Sequence, residues 1–251
     1  MTDEPAGVVL AATVHDPGGD FASGLERTLD PLRALFLNFV MQVTSETHPT
    51  VVRLLRDGLG AVVEQARADG QIGLHRRNAL ALALPTRSHL LYSDLDHLLR
   101  WIEADRPELE RVLGLAASKD MVIVGRTPTA MAACPQRLRD TEAIINHIVE
   151  LMTGHSWDLM FAIRLMSPEM AASIVEHCVE NTIGNDVEWP LHALTNNFTV
   201  GYADAAGLSY RIASDFDTPT DEHDLDPGRW IDRIDIANQQ AQAMRRYLPS
   251  E

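Results

Sequence analysis

Two carboxylates, Asp94 and Asp96, stand one residue apart in Tyr92-Ser93-Asp94-Leu95-Asp96, at the end of the apolar run His89-Leu90-Leu91 and just before the helical pattern His97-Leu98-Leu99-Arg100-Trp101-Ile102. Alternate residues of a strand point to one side, so such a pair is able to share a hard divalent cation and hold it against a diphosphate. A strand that passes straight into a helix also delivers its last side chains to the carboxyl edge of a sheet, where open α/β sheets bind ligands. The same residues satisfy a simpler demand, because Ser93 or Asp94 is a favoured helix N-cap.

The elements that would position this pair follow from hydrophobic patterning. Gly7 to His15 is an apolar, β-branched run cut off by Asp16-Pro17-Gly18-Gly19, which predicts a buried parallel strand. Ala22 to Ala34 has helical spacing, Leu35 to Val43 is a second strand closing in Thr44-Ser45-Glu46-Thr47, a helix covers Val51 to Arg56, and Gly60 to Glu64 is a third strand. A helix from Gly70 to Leu84 then leads into the Asp-x-Asp strand, and Met121 to Thr127 extends the sheet. Strands alternating with helices at this spacing predict an α/β fold with a doubly wound, mostly parallel sheet. Phe198 to Tyr202 and Leu208 to Ile212 are spaced as a β-hairpin, followed by an acidic run from Asp215 to Asp226 and a last helix with Trp230, Ile234, Ala237, Ala241, Met244 and Leu248 on one stripe.

The 251 residues carry a formal charge of -15, from 36 acidic and 21 basic side chains, which argues against nucleic acid as a partner. The longest apolar runs fall short of a membrane span, no charged-then-apolar leader opens the chain, and only Cys134 and Cys178 occur, so a cytoplasmic protein with reduced thiols is expected.

Two βα units, a third strand, a Gly-x-x-x-Arg-Asn-x-Ala helix (Gly73, Arg77, Asn78 and Ala79) and a strand ending Asp-x-Asp form an ordered set. The set resembles the nucleotide-sugar half of glycosyltransferases with the GT-A fold, especially the large inverting family 2. The resemblance implies a sugar donor activated as a nucleoside diphosphate, a small-molecule or glycan acceptor, and Mn²⁺ or Mg²⁺ held by Asp94 and Asp96. It implies donor contacts from Thr13, His15, Glu46, Arg77 and Asp94. His192 or His223 would complete the cation's shell, and Trp157 would stack on a sugar. In Gly184-Asn185-Asp186-Val187-Glu188 it implies that Asp186, or second Glu188, is the catalytic base of an inverting reaction, although Asp186 also suits a helix cap. The sequence departs from the family where the nucleobase is read, since Glu46 alone supplies a carboxylate after the second strand.

On this reading residues 1–251 form one GT-A-like domain, with a nucleotide-sugar half at 7–104, an acceptor half at 105–212, and an acidic loop and C-terminal helix at 213–251. The helix packs on the domain or on a second subunit, giving a possible homo-oligomer. A retaining glycosyltransferase, a nucleotidyltransferase and a catalytically silent binding or assembly module that kept the fold remain as alternatives.

Overall fold

The computed structural model describes residues 7–208 and 222–248. A seven-stranded sheet runs through both halves of the chain in the order β3-β2-β1-β4-β6-β5-β7. Its strands are β1 (Val8–Val14), β2 (Asn38–Thr44), β3 (Val62–Ala66), β4 (His89–Asp94), β5 (Met121–Arg126), β6 (Ile163–Met166) and β7 (Val200–Ala205). All neighbours pair in parallel except β6, which is antiparallel to both β4 and β5. Every residue of β1 is buried, as expected of a central strand covered on both faces.

One face of the sheet packs on α1 (Phe21–Leu35), the short α2 (Pro49–Arg53) and α4 (Leu95–Leu113), through Leu25, Leu32, Val51, Leu98 and Trp101. The other packs on α3 (Ile72–Ala83), α6 (Gln136–Thr153), α7 (Pro168–His177), α8 (Asn185–Thr195) and α9 (Pro227–Arg245), through residues such as Leu80, Val149, Ile174, Trp189 and Met244. A single turn, α5 (Pro128–Ala132), follows β5. At Asp105-Arg106-Pro107 α4 is kinked: Asp105 leaves helical geometry (φ -157°, ψ 77°) and its carboxylate accepts the Glu108 N–H at 2.9 Å.

Three expectations change. Asp96 lies in the first turn of α4, not on the strand, because β4 ends at Asp94 and that residue is itself the cap position. The first expected hairpin strand is β7, whose described partner is β5 in parallel; residues 209–212 of its supposed mate, and 215–221 of the acidic run, lie outside the described residues. The stripe on α9 is also rotated: Gln240, Ala243 and Met244 are buried, whereas Ile234 and Leu248 are more than half exposed. Gln240 turns inward because a carboxylate from α8 waits there for a donor. No helix among the described residues is long and apolar enough to cross a membrane.

Candidate active site at the carboxyl edge of the sheet

The register between β1 and β4 sets Thr13 beside Asp94. Both side chains, with that of Tyr92, fall on the face covered by α3. Thr13 Oγ1 and the Tyr92 hydroxyl donate to Asp94 Oδ1 at 2.8 and 2.6 Å, and Arg76 Nη2 donates to Asp94 Oδ2 at 2.6 Å. The same guanidinium reaches across to α8, where Nη1 donates to Asp186 Oδ1 at 2.6 Å and to the Asn185 side-chain oxygen at 3.0 Å. Asp186 Oδ2 accepts from Gln240 of α9 at 3.4 Å, and its backbone oxygen accepts from Arg164 of β6 at 3.1 Å. Arg76 thus joins β4 to α8, and β1, β6 and the C-terminal helix attach to the two aspartates it holds.

The electrostatics follow from burial. Desolvation alone would raise the pKa of Asp94, but the charge of Arg76, the nearby His97 and the Tyr92 hydrogen bond outweigh it and hold the carboxyl at about 2. Burial wins at Asp186, whose pKa is raised despite Arg76 and Arg164. Burial likewise works against the charge on Arg76, yet Asp94 and Asp186 together stabilise it. Burial brings Arg164 down to about 10, which leaves it a cation at neutral pH.

The other residues singled out in the sequence divide into two groups. His15 and Glu46 are exposed at the ends of β1 and β2, with His15 Nδ1 2.8 Å from Thr44 Oγ1. Asp16, beside them, is buried and accepts the N–H groups of Gly19, Asp20 and Phe21, so the N-terminus of α1 is closed by the chain's own carboxylate. Asp96 is partly exposed, with Oδ2 3.4 Å from Arg100 and 3.7 Å from His97. The remainder face away from this edge. Arg77 donates to the Glu180 carbonyl and the Asn181 side chain. Gly73 lies under the same segment, where a Cβ would come within 2.5 Å of the Thr182 carbonyl, so the glycine motif is a seat for residues 180–182. Glu188 is 1% exposed and accepts the Val179 and Glu180 N–H groups and Arg246. His192 bonds Ser173 and Asn196, His223 lies beside Arg137 and Arg229, and Trp157 is buried under the stacked His155 ring.

Arg76, the residue that joins the site, was not singled out, although the pattern contains it. The buried stripe of α3 is Arg76, Ala79, Leu80 and Ala83, at i, i+3, i+4 and i+7. A groove of about 590 Å³ opens along α4 from Arg100, the residue 3.4 Å from Asp96, and is lined also by Glu103, Thr127, Thr129, Ala206 and Gly207.

The residues present do not fit a cation shared by Asp94 and Asp96. Both oxygens of Asp94 are taken by three donors, and Asp96 belongs to a helical turn that faces Arg100 and His97. Among the described residues no group of three or more His, Cys, Asp or Glu side chains is arranged to hold a metal ion.

The chain has the GT-A fold of nucleotide-sugar glycosyltransferases. The structure of glucosyl-3-phosphoglycerate synthase from Mycobacterium tuberculosis matches 98% of this chain and 82% of its own, with a TM-score of 0.60 at 12% identity. The same enzyme with Mn²⁺, UDP and glucosyl-3-phosphoglycerate matches with a TM-score of 0.60, and with Mg²⁺ and UDP with 0.61, each at 12% identity over 98% of this chain and 81% of that one. No protein-family model and no curated protein sequence matches the chain.

Proposed function

We propose that the protein is a glycosyltransferase that binds a nucleoside-diphosphate sugar across the carboxyl ends of β1, β2 and β4 and transfers the sugar to a small-molecule or glycan acceptor in the groove that begins at Arg100. The observation that carries this reading is the whole-chain likeness to an enzyme solved with UDP and UDP-glucose, combined with the Thr13–Asp94 pair at the edge where such sheets bind ligands. His15 and Glu46, exposed at the ends of β1 and β2, are the nucleotide side of the site. Residues 7–104 and 105–212 act as donor and acceptor halves of one domain, and the protein works in the cytoplasm. The exposed Ile231 and Ile234 of α9 offer a surface for a second copy.

Asp186 is assigned to positioning. It is 3% exposed and tied to Arg76 and Gln240, so its effect on chemistry passes through Arg76 to Asp94. That burial also favours a second reading, a silent binding module that kept the fold.

A thermal-shift panel of nucleoside diphosphates and their sugars tests the proposal. At a hundredfold excess over Kd a ligand adds about 2.7 kcal/mol, enough to raise Tm by roughly 5 °C or more for a chain of this size. No shift with any nucleotide overturns both readings. A saturable shift without transfer or hydrolysis of the bound sugar leaves the binding module.

A further inference from the structure

We propose that Arg76 takes the place of a divalent cation in this protein, so that a nucleoside diphosphate binds here without Mn²⁺ or Mg²⁺. The inference rests on the nucleotide-sugar reading given above, but its core, an edge that takes no divalent cation, stands on the side chains alone.

Three observations carry it. The first is coordination. A hard cation needs free oxygens, and Asp94 has little to give, since Thr13 and Tyr92 occupy Oδ1 and Arg76 occupies Oδ2 at 2.6–2.8 Å, three of a carboxylate's roughly four acceptor positions. The second is charge. Asp94 and Asp186 carry two negative charges, and Arg76 and Arg164 return two positive ones within the same buried cluster. A divalent cation entering it would have to expel a guanidinium or leave a buried site doubly positive, and uncompensated buried charge is costly. The third is what remains unspent. Around the hub, the donors Arg76 Nε, Arg164 Nε, Asn185 Nδ2 and Trp189 Nε1 are buried without a partner, more of them than the unpartnered Gln42 Oε1 and His75 Nδ1 nearby. Such atoms call for an acceptor, and a metal ion supplies none. The unpartnered atoms that could accept, Gln42 Oε1 of β2, His75 Nδ1 of α3 and His97 Nδ1 of α4, stand singly on three elements, and no group of three or more His, Cys, Asp or Glu among the described residues is arranged to hold a metal ion.

The comparison enzyme was solved in complex with UDP and Mn²⁺ or Mg²⁺, so the two proteins would share a fold and differ in how the diphosphate edge is neutralised.

Two titrations test the inference on the full chain. Mn²⁺ alone, followed by electron paramagnetic resonance, should show no saturable stoichiometric site in the wild type. UDP, followed by calorimetry, should bind with the same Kd within threefold in EDTA and in Mn²⁺. Arg76→Met combined with Asp186→Asn removes the guanidinium together with one buried carboxylate, frees Asp94, and should bind Mn²⁺ at least tenfold more tightly than wild type. A stoichiometric Mn²⁺ site in the wild type, or a UDP affinity that falls tenfold or more in EDTA, overturns the inference while leaving the nucleotide reading intact. If UDP and other nucleoside diphosphates fail to bind under either condition, the nucleotide reading falls, and the Mn²⁺ titration of the wild type still decides whether the edge takes a cation. Should the double variant not fold, the two wild-type titrations decide alone.

Discussion

Two buried arginines organise this molecule, and they are satisfied to different degrees. Arg126, the last residue of β5, spends its whole guanidinium: Nε and Nη2 grip Asp158 at 2.7 and 2.9 Å, Nη2 also meets Glu142 at 2.5 Å, and Nη1 reaches Cys134 at 3.3 Å. Its face lies over Phe161 at 4.6 Å, and Arg233 of α9 closes Glu142 from the other side at 2.6 Å. Arg76 likewise holds two carboxylates, each at 2.6 Å, but leaves Nε without a partner, and the Asp94 side chain it holds keeps 19% of its surface at the sheet edge. A saturated hub pins the 155–162 segment beneath β5. A hub with unspent donors next to an exposed edge is where a ligand has something to gain.

The largest effect should come from breaking the closed hub. Arg126→Met keeps much of the length and apolar contact but leaves Asp158 and Glu142 facing each other without their cation. Losing one partner of a buried pair costs about 3–5 kcal/mol, measured as a lower urea midpoint or Tm. A loss under 1 kcal/mol would mean that Asp158 and Glu142 are held by Asn146 and Arg233 alone, and the contrast between the hubs would fail.

The open hub should show itself through pH. Asp94 ionises at about 2 in the folded protein against an ordinary 3.8, so its folded pKa is depressed. Its contribution is therefore fully present above pH 4 and is lost as pH falls from 4 toward 2, a change of about 2 kcal/mol. Asp94→Asn should remove that part of the acid limb, leaving the stability difference between wild type and variant shrinking as pH drops over this window. A difference that stays constant from pH 5 to pH 2 would show that Asp94 is not held by Arg76 in solution.

How the two hubs appear in the sequence is instructive. The strands β1, β2, β4 and β5 are legible because each is a continuous apolar run with a polar stop, and the edge that carries Thr13 and Asp94 follows from them. The antiparallel β6 is not, since four residues entered from Ala162 at φ 49° carry no periodic signal. Neither hub is announced by spacing. Arg76 meets a partner 110 positions away, and Arg126 ends a strand whose apolar run gives no hint of a buried ion pair. The choice of Arg77 over Arg76 shows the limit most plainly. Neighbouring residues on a helix point about 100° apart, so a motif match selects a neighbourhood, and only the Ala79–Leu80–Ala83 stripe selects the side chain that turns inward.

The smallest expected effect concerns Asp186, and it separates positioning from proton transfer. A general base contributes typically about 10²- to 10⁴-fold in rate. Asp186 is buried, bonded to Arg76 and Gln240, and has its pKa raised by desolvation ahead of the opposing pull of Arg76. Asp186→Asn keeps the shape and an oxygen for Arg76 while removing the charge. If Asp186 acts through Arg76, the variant should weaken donor KM by less than tenfold, through a looser Asp94, and change kcat by no more than a few-fold. A drop in kcat of a hundredfold at unchanged donor KM would make Asp186 the base and require it to leave Arg76 when an acceptor binds. The split between the two constants, measured with the donor that the binding panel selects, therefore decides whether the open hub shapes the site or performs the chemistry itself.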